Sequence, residues 1–216
     1  MTRTFDWARL GKTVRVTRKA GVAGPWFDVT WPDFIGVTTA LAPGRFAGAL
    51  NQGPRARHGL GRITDWLATR WTMWRTGRIP PALLLRRAFD ECLDFDAAVR
   101  LLSETPICRS AFYTLASPDP ARGVVIERLE TAARVHPAPV CISDPTGRPR
   151  FRGRRDPVAM MRGRLVAAAP GLAWLETPIL NDTARLAVTA NAATGELTVQ
   201  GFEDGAPATS VLRLVA

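Results

Sequence analysis

The chain has 216 residues and carries 29 Lys+Arg against 19 Asp+Glu, a formal net charge of +10. That is enough for one large domain or two small ones with a sizeable core, and 46% hydrophobic with 22% charged residues excludes a disordered chain. The longest apolar runs, such as Ala82 to Leu85 and Val166 to Ala169, are far too short to span a bilayer, so membrane helices are excluded along with collagen, coiled coil and disulfide scaffolds.

The predicted elements begin with a short strand around Val14 and Val16. A turn at Gly21 to Pro25 leads to a second strand, Trp26 to Thr30, and Ile35 to Leu41 reads as a third after the Pro32-Asp33 break. Pro43-Gly44 predicts a tight turn before a strand over Arg45 to Leu50, and Asn51 to Gly61 reads as a Gly-, Pro- and Arg-rich loop. Thr64 or Asp65 then caps a helix with Leu67, Trp71 and Trp74 on one side, ended by Gly77. Pro80-Pro81 opens the next helix, through Leu84, Ala88 and Cys92. A further helix covers Phe95 to Leu102 and stops at Pro106. Strands return at Ala111 to Leu115 and Val124 to Leu129, around a Pro118-Asp119-Pro120 turn. After an Arg-rich stretch come a short helix, Val158 to Ala168, and a last hairpin, Leu186 to Ala190 with Leu197 to Gly201. Strands, helices and strands again predict an α+β fold on antiparallel sheets, a single domain over residues 1–216.

Familiar chemical signatures are absent. The sequence has no Gly-x-Gly-x-x-Gly after a strand and no Gly-Lys-Ser/Thr loop. With only His58 and His136, both in Pro/Gly-rich surroundings, neither a Ser-His-Asp triad nor a His-based metal site is supported; each reads as an exposed loop residue. No cofactor or metal is expected. Cys92, Cys108 and Cys141 are odd in number and lack C-x-x-C spacing, and no charged-then-apolar leader opens the chain; the expectation is a reduced, cytoplasmic setting. Only Lys12 and Lys19 are lysines, so 27 of the 29 basic residues are arginine, as much a compositional bias as a design. The positive excess still suits anionic partners, an anionic membrane surface included.

One ordered series of short motifs is informative. Arg3-Thr4-Phe5-Asp6 is followed by Thr30-Trp31-Pro32-Asp33-Phe34-Ile35-Gly36 and Thr39-Ala40-Leu41-Ala42-Pro43-Gly44-Arg45-Phe46. Farther on come Arg87-Ala88-Phe89, Phe95-Asp96-Ala97-Ala98-Val99, Leu102 to Pro106, and Tyr113 ahead of Gly123 to Arg128. This order resembles the nucleophile-bearing subunit of the N-terminal-nucleophile (Ntn) amide hydrolases. Within them it is similar to the acylethanolamine amidase and acid ceramidase branch, in the wider group of penicillin V acylases and bile salt hydrolases. The resemblance runs from Arg3 to about Arg155 and more loosely to the last hairpin.

The resemblance implies a four-layer αββα sandwich and hydrolysis of a linear amide in an N-acylated substrate, an N-acylethanolamine- or ceramide-like lipid, with acyl transfer as the close variant. In the family an N-terminal Cys attacks, its own α-amine acts as base, and an Arg-x-x-Asp element follows; that element matches Arg3 and Asp6. A thiolate needs nearby positive charge and an α-amine titrates near neutrality, so the pairing makes chemical sense. The family's nucleophile would lie one strand upstream of Arg3, where this sequence has no Cys. The expectation is therefore a sandwich missing its first strand or strands, without catalysis of its own. Ser143 stands where the family has its oxyanion Asn, a shorter donor than an amide. The basic residue that follows matches Arg154 or Arg155, and the latter completes the expected catalytic set. Asn51, Trp66 and Trp71 are the expected substrate-binding residues, although Trp66, Trp71 and Trp74 equally fit core or interface packing. Without the resemblance, Arg3 and Asp6 read as a surface pair.

Two other readings stay open: a degenerate, non-catalytic lipid-amide-binding or partner protein, and an Arg-rich anionic-membrane or nucleic-acid binder. Arg148, Arg150, Arg152, Arg154, Arg155, Arg162 and Arg164 supply charge for the latter but only Phe151 to stack on a base, so no nucleic-acid partner is expected. A small acylated amine is the expected ligand. Self-association through an exposed sheet edge is a further expectation.

Overall fold

The computed structural model describes residues 1–6, 11–53, 64, 67, 70–71, 73, 75–138, 171–177 and 179–216, and these carry two antiparallel sheets with helices packed on one of them. The larger sheet is a meander in chain order: β2 (Arg15–Gly21), β3 (Gly24–Thr30), β4 (Thr39–Ala42), β5 (Phe46–Gln52), β6 (Ala111–Ala116), β7 (Gly123–Arg128) and β8 (Ala133–Pro137). The smaller sheet runs β1 (Thr2–Asp6), β9 (Ala184–Asn191), β10 (Glu196–Glu203), β11 (Ala206–Pro207), with β12 (Leu212–Leu214) also pairing β10. Between β5 and β6 lie α1 (Pro81–Glu91) and α2 (Phe95–Glu104).

The helices form where the sequence says they should. Pro81 opens α1 with its φ already helical and no N–H to lose, and Leu84, Leu85, Ala88 and Phe89 make the buried stripe. Asp94 caps α2 by accepting the Ala97 N–H at 2.7 Å, and Phe95, Ala98 and Leu102 face inward. Residues 64, 67, 70, 71, 73, 75 and 76 are also helical, and Gly77 ends that segment at φ +58°, a conformation that costs glycine little. None of these helices is long and apolar enough to cross a membrane.

Among the described residues, three cores follow from strand alternation. On one face of the large sheet, Trp26, Phe46, Tyr113 and Ile126 pack under α1 and α2. On its other face, Val29, Leu41 and Ala47 meet Leu186, Val188, Leu197 and Val199 of the small sheet. The outer face of the small sheet is covered, among the described residues, by the turns of 171–180, where Trp174 and Ile179 pack on Ala187 and Phe202. The Trp174 indole N–H donates to Thr189 Oγ1 at 2.8 Å and Gly171 O at 3.0 Å. The α+β order and stacked antiparallel sheets agree with the expectation. The predicted Val158–Ala168 helix lies outside the described residues.

Three differences have physical reasons. The strand expected from Ile35 starts only at Thr39, because the Val37 N–H goes to Ala82 O of α1 at 2.9 Å, not to a neighbouring strand. Strand β1 has no hydrophobic pattern to announce it: its inward positions include the charged Arg3. Strand β8 is mostly exposed and, among the described residues, pairs only with β7, so it has no buried face to declare itself. Between β1 and β2 the chain crosses β10 closely enough that a Cβ on Gly11 would fall 1.8 Å from Phe202 O.

Arg45, on the Pro43-Gly44 turn, ties the helical layer to the β2–β3 hairpin. It donates to Phe89 O (3.1 Å) and Cys92 O (2.8 Å) at the end of α1, and to Pro25 O (3.2 Å) and Gly24 O (3.4 Å). A cation also suits the carbonyl-rich end of a helix. Arg45→Ala is expected to lower stability by about 2 kcal/mol in equilibrium denaturation; an unchanged midpoint would mean that water serves those carbonyls as well.

Candidate functional site

Arg3 lies opposite Val188 in the ladder between β1 and β9, and only 5% of it is exposed. Its guanidinium leaves the small sheet and enters the large one. Nη1 donates to the carbonyl of Thr38 and to Thr39 Oγ1 at 2.7 Å, and Nη2 donates to Leu50 O at 2.5 Å. The Leu50 N–H also donates to Thr38 O, at 2.8 Å, so β4, β5 and Arg3 share one knot. The guanidinium lies 4.9 Å from the centre of the Phe5 ring, which leans on Trp31 at 5.1 Å. Nε has no hydrogen-bond partner among the described residues. Burial pushes the guanidinium down to about 9, with Asp6 pulling the other way, so it remains a cation at neutral pH.

Asp6 ends β1 after a register shift and is exposed. Asn51 is half-buried on β5, opposite Phe112. The alternation that sends Phe46 to the helices and Ala47 to the small sheet carries Asn51 to the Ala47 side, which is also the Arg3 side. Trp71 is helical and 64% exposed, with Arg75 above its ring at 5.7 Å. Trp66, Ser143, Arg154 and Arg155 lie outside the described residues, as does Cys141. The structure thus places Arg3, Asp6 and Asn51 near the junction of the sheets and Trp71 on the surface.

The described thiols are elsewhere. Cys92 and Cys108 are buried and free. Cys92 belongs to the core under the helices, and the Cys108 N–H donates to Ile79 O at 3.1 Å on that same side. Burial pushes both thiols up; Glu91 and Asp94 add to the effect at Cys92. Neither is an activated nucleophile. Among the described residues, no group of three or more His, Cys, Asp or Glu is placed to hold a metal ion. Two concavities, about 500 Å³ beside the β2–β3 hairpin and about 270 Å³ between α2 and β7, are lined without Arg3.

The acceptors that hold Arg3 were missed from the sequence. Two are main-chain carbonyls, and no side-chain pattern encodes those. Thr39 was within the informative series, but nothing distinguished its hydroxyl from any other strand threonine.

Two antiparallel sheets stack face to face, helices cover the outer face of the larger one, and a buried arginine bridges them; this fold is similar to that of a solved amidase structure. The similarity is concrete: the solved structure of a Caenorhabditis elegans N-acylethanolamine-hydrolyzing acid amidase ortholog superposes with a TM-score of 0.68 at 16% identity. The match covers 89% of this chain and 87% of that one. At that identity the likeness is one of fold. No protein-family model matches this chain, and no curated protein matches it in sequence.

Proposed function

We propose that this protein acts on an N-acylated amine, with water and the linear amide giving a carboxylic acid and a free amine. An N-acylethanolamine or a ceramide-like lipid is the substrate class. Arg3 carries the reading: a cation fixed between the two sheets, with a donor to spare, in a fold shared with an amidase of that class. A preorganised cation stabilises an amide carbonyl as it gains negative charge, and it lowers the pKa of a nearby thiol. Asp6 and Asn51 join Arg3 in this reading, and Ser143 and Arg155 enter it through the family resemblance alone.

The covalent step is not assigned to Cys92 or Cys108, which lie across the large sheet from Arg3. That placement favours a second reading, in which the chain holds a lipid amide without cleaving it. Incubation with an N-acylethanolamine, followed by mass spectrometry of fatty acid and ethanolamine, separates the two. Products that vanish in Arg3→Met support cleavage. Saturable retention of intact amide, lost in the same variant, supports holding. Neither product nor retention overturns both.

A further inference from the structure

Strand β2 is an edge of the larger sheet. Among the described residues it pairs only with β3, so the main-chain N–H and C=O groups along its other side meet no strand. The edge lies open: Arg15, Arg18, Lys19 and Ala20 are exposed, as is Val22 at the hairpin tip. Its charge is all of one sign. From Gly11 to Gly24 the sequence holds Lys12, Arg15, Arg18 and Lys19 and no acid. Among the described residues none of these four is in an ion pair; Lys19 acts only at longer range, on the buried Asp28. The ladder with β3 puts Arg15 and Lys19 on the face of Trp26, that of the helices, and Arg18 on the opposite face with Phe27. The concavity of about 500 Å³ lies against the same edge, lined by Arg18, Lys19, Ala20 and Gly21 with Gly24 and Pro25.

We infer that the outer edge of β2 takes up an acidic, extended segment of a partner protein as an added strand. Two observations select that occupant. A sheet edge offers donors and acceptors together, and an extended peptide answers both with its own main chain. Phosphate groups bring acceptors alone, so a nucleic acid or a lipid headgroup leaves the edge carbonyls unmet. Charge then selects the sign. Acids opposite Arg15 and Lys19 form cross-strand pairs, whereas a second copy of this chain, itself at +10, would set those cations against their equivalents. The same charges therefore guard the edge against its own kind and open it to an acidic strand. The inference stands apart from the amidase reading: peptide binding without amide cleavage, or cleavage without peptide binding, would leave one standing and remove the other.

Fluorescence anisotropy of the full chain with a labelled peptide of alternating Glu and Thr, matched to β2 in length, tests it. Saturable binding that weakens with salt is expected. The same peptide N-methylated throughout keeps its charge but cannot donate to the ladder, and it should bind weaker by tenfold or more, on the order of what a few lost hydrogen bonds cost. Arg15→Glu should weaken binding roughly tenfold. Arg18→Glu, an equal change of net charge on the opposite face, should cost much less. Both positions are exposed, and an unchanged far-ultraviolet spectrum and thermal transition will verify that the variants fold. A wild type that ignores the Glu–Thr peptide overturns the inference. So does equal binding of the N-methylated peptide, or an equal loss in the two variants. Displacement of the peptide by a single-stranded oligonucleotide or phosphatidylserine vesicles of matched charge would also overturn it, and assign the edge to phosphates.

Discussion

Arg3→Ala is expected to lower the free energy of unfolding by about 3 kcal/mol. Two effects oppose each other at this position. Burial penalises the cation, as its depressed pKa of about 9 records, and alanine removes that penalty. Against this, truncation strips the buried Thr39 Oγ1 and the part-buried Leu50 carbonyl of a charged donor, and it leaves a void between the sheets. Thr38 O keeps the Leu50 N–H, so its loss is smaller. Two orphaned acceptors and the void outweigh the relieved charge. Arg3→Lys should rescue little, because one ammonium cannot reach acceptors spread over two strands as the planar fork does. Urea denaturation of the three proteins decides the matter. An alanine variant with the wild-type midpoint would mean that the bridge adds nothing to the contact between the sheets.

What could be read beforehand was whatever announces itself locally. Pro81, the Asp94 cap and the apolar stripe behind each made α1 and α2 legible. Pro43-Gly44 announced its turn, and Gly44 does take a positive φ of 72°. Strand β1 was obscured by its own buried cation, since an inward arginine breaks the alternation by which strands are recognised. Periodicity placed Leu67 and Trp71 on one helical face but could not tell whether that face met protein or solvent, because that depends on the tertiary surroundings. The importance of Arg3 came from its likeness to a family motif; its partners came only with the fold. Asp28 was hidden for another reason. In a sheet covered on both faces, alternation no longer separates inside from outside, and a carboxylate in β3 looks like an ordinary solvent-facing residue.

That carboxylate gives the second prediction, a fall in stability as pH rises. Asp28 is 3% exposed on the helix-side face of β3, and its Oδ1 has no hydrogen-bond partner among the described residues. Thr17 stands opposite it in the ladder, with an equally unpartnered hydroxyl. Burial pushes the carboxyl up to about 7; Lys19 and Arg86 oppose the shift, and Asp90 adds to it. The folded state therefore holds the proton more tightly than the unfolded chain, whose carboxyl titrates at its ordinary value of 3.8. Asp28 is at its least costly below that value, and stability falls as pH rises from there through about 7, where the penalty levels off. The full penalty is about 4 kcal/mol before relaxation or water entry reduces it. Asp28→Asn keeps the shape and cannot ionise. It should match the wild type in acid and exceed it by several kcal/mol above neutrality, with a thermal midpoint nearly flat where the wild type declines. Parallel pH profiles for the two proteins would overturn the assignment, since they would mean that the carboxylate finds water or a cation beneath α1.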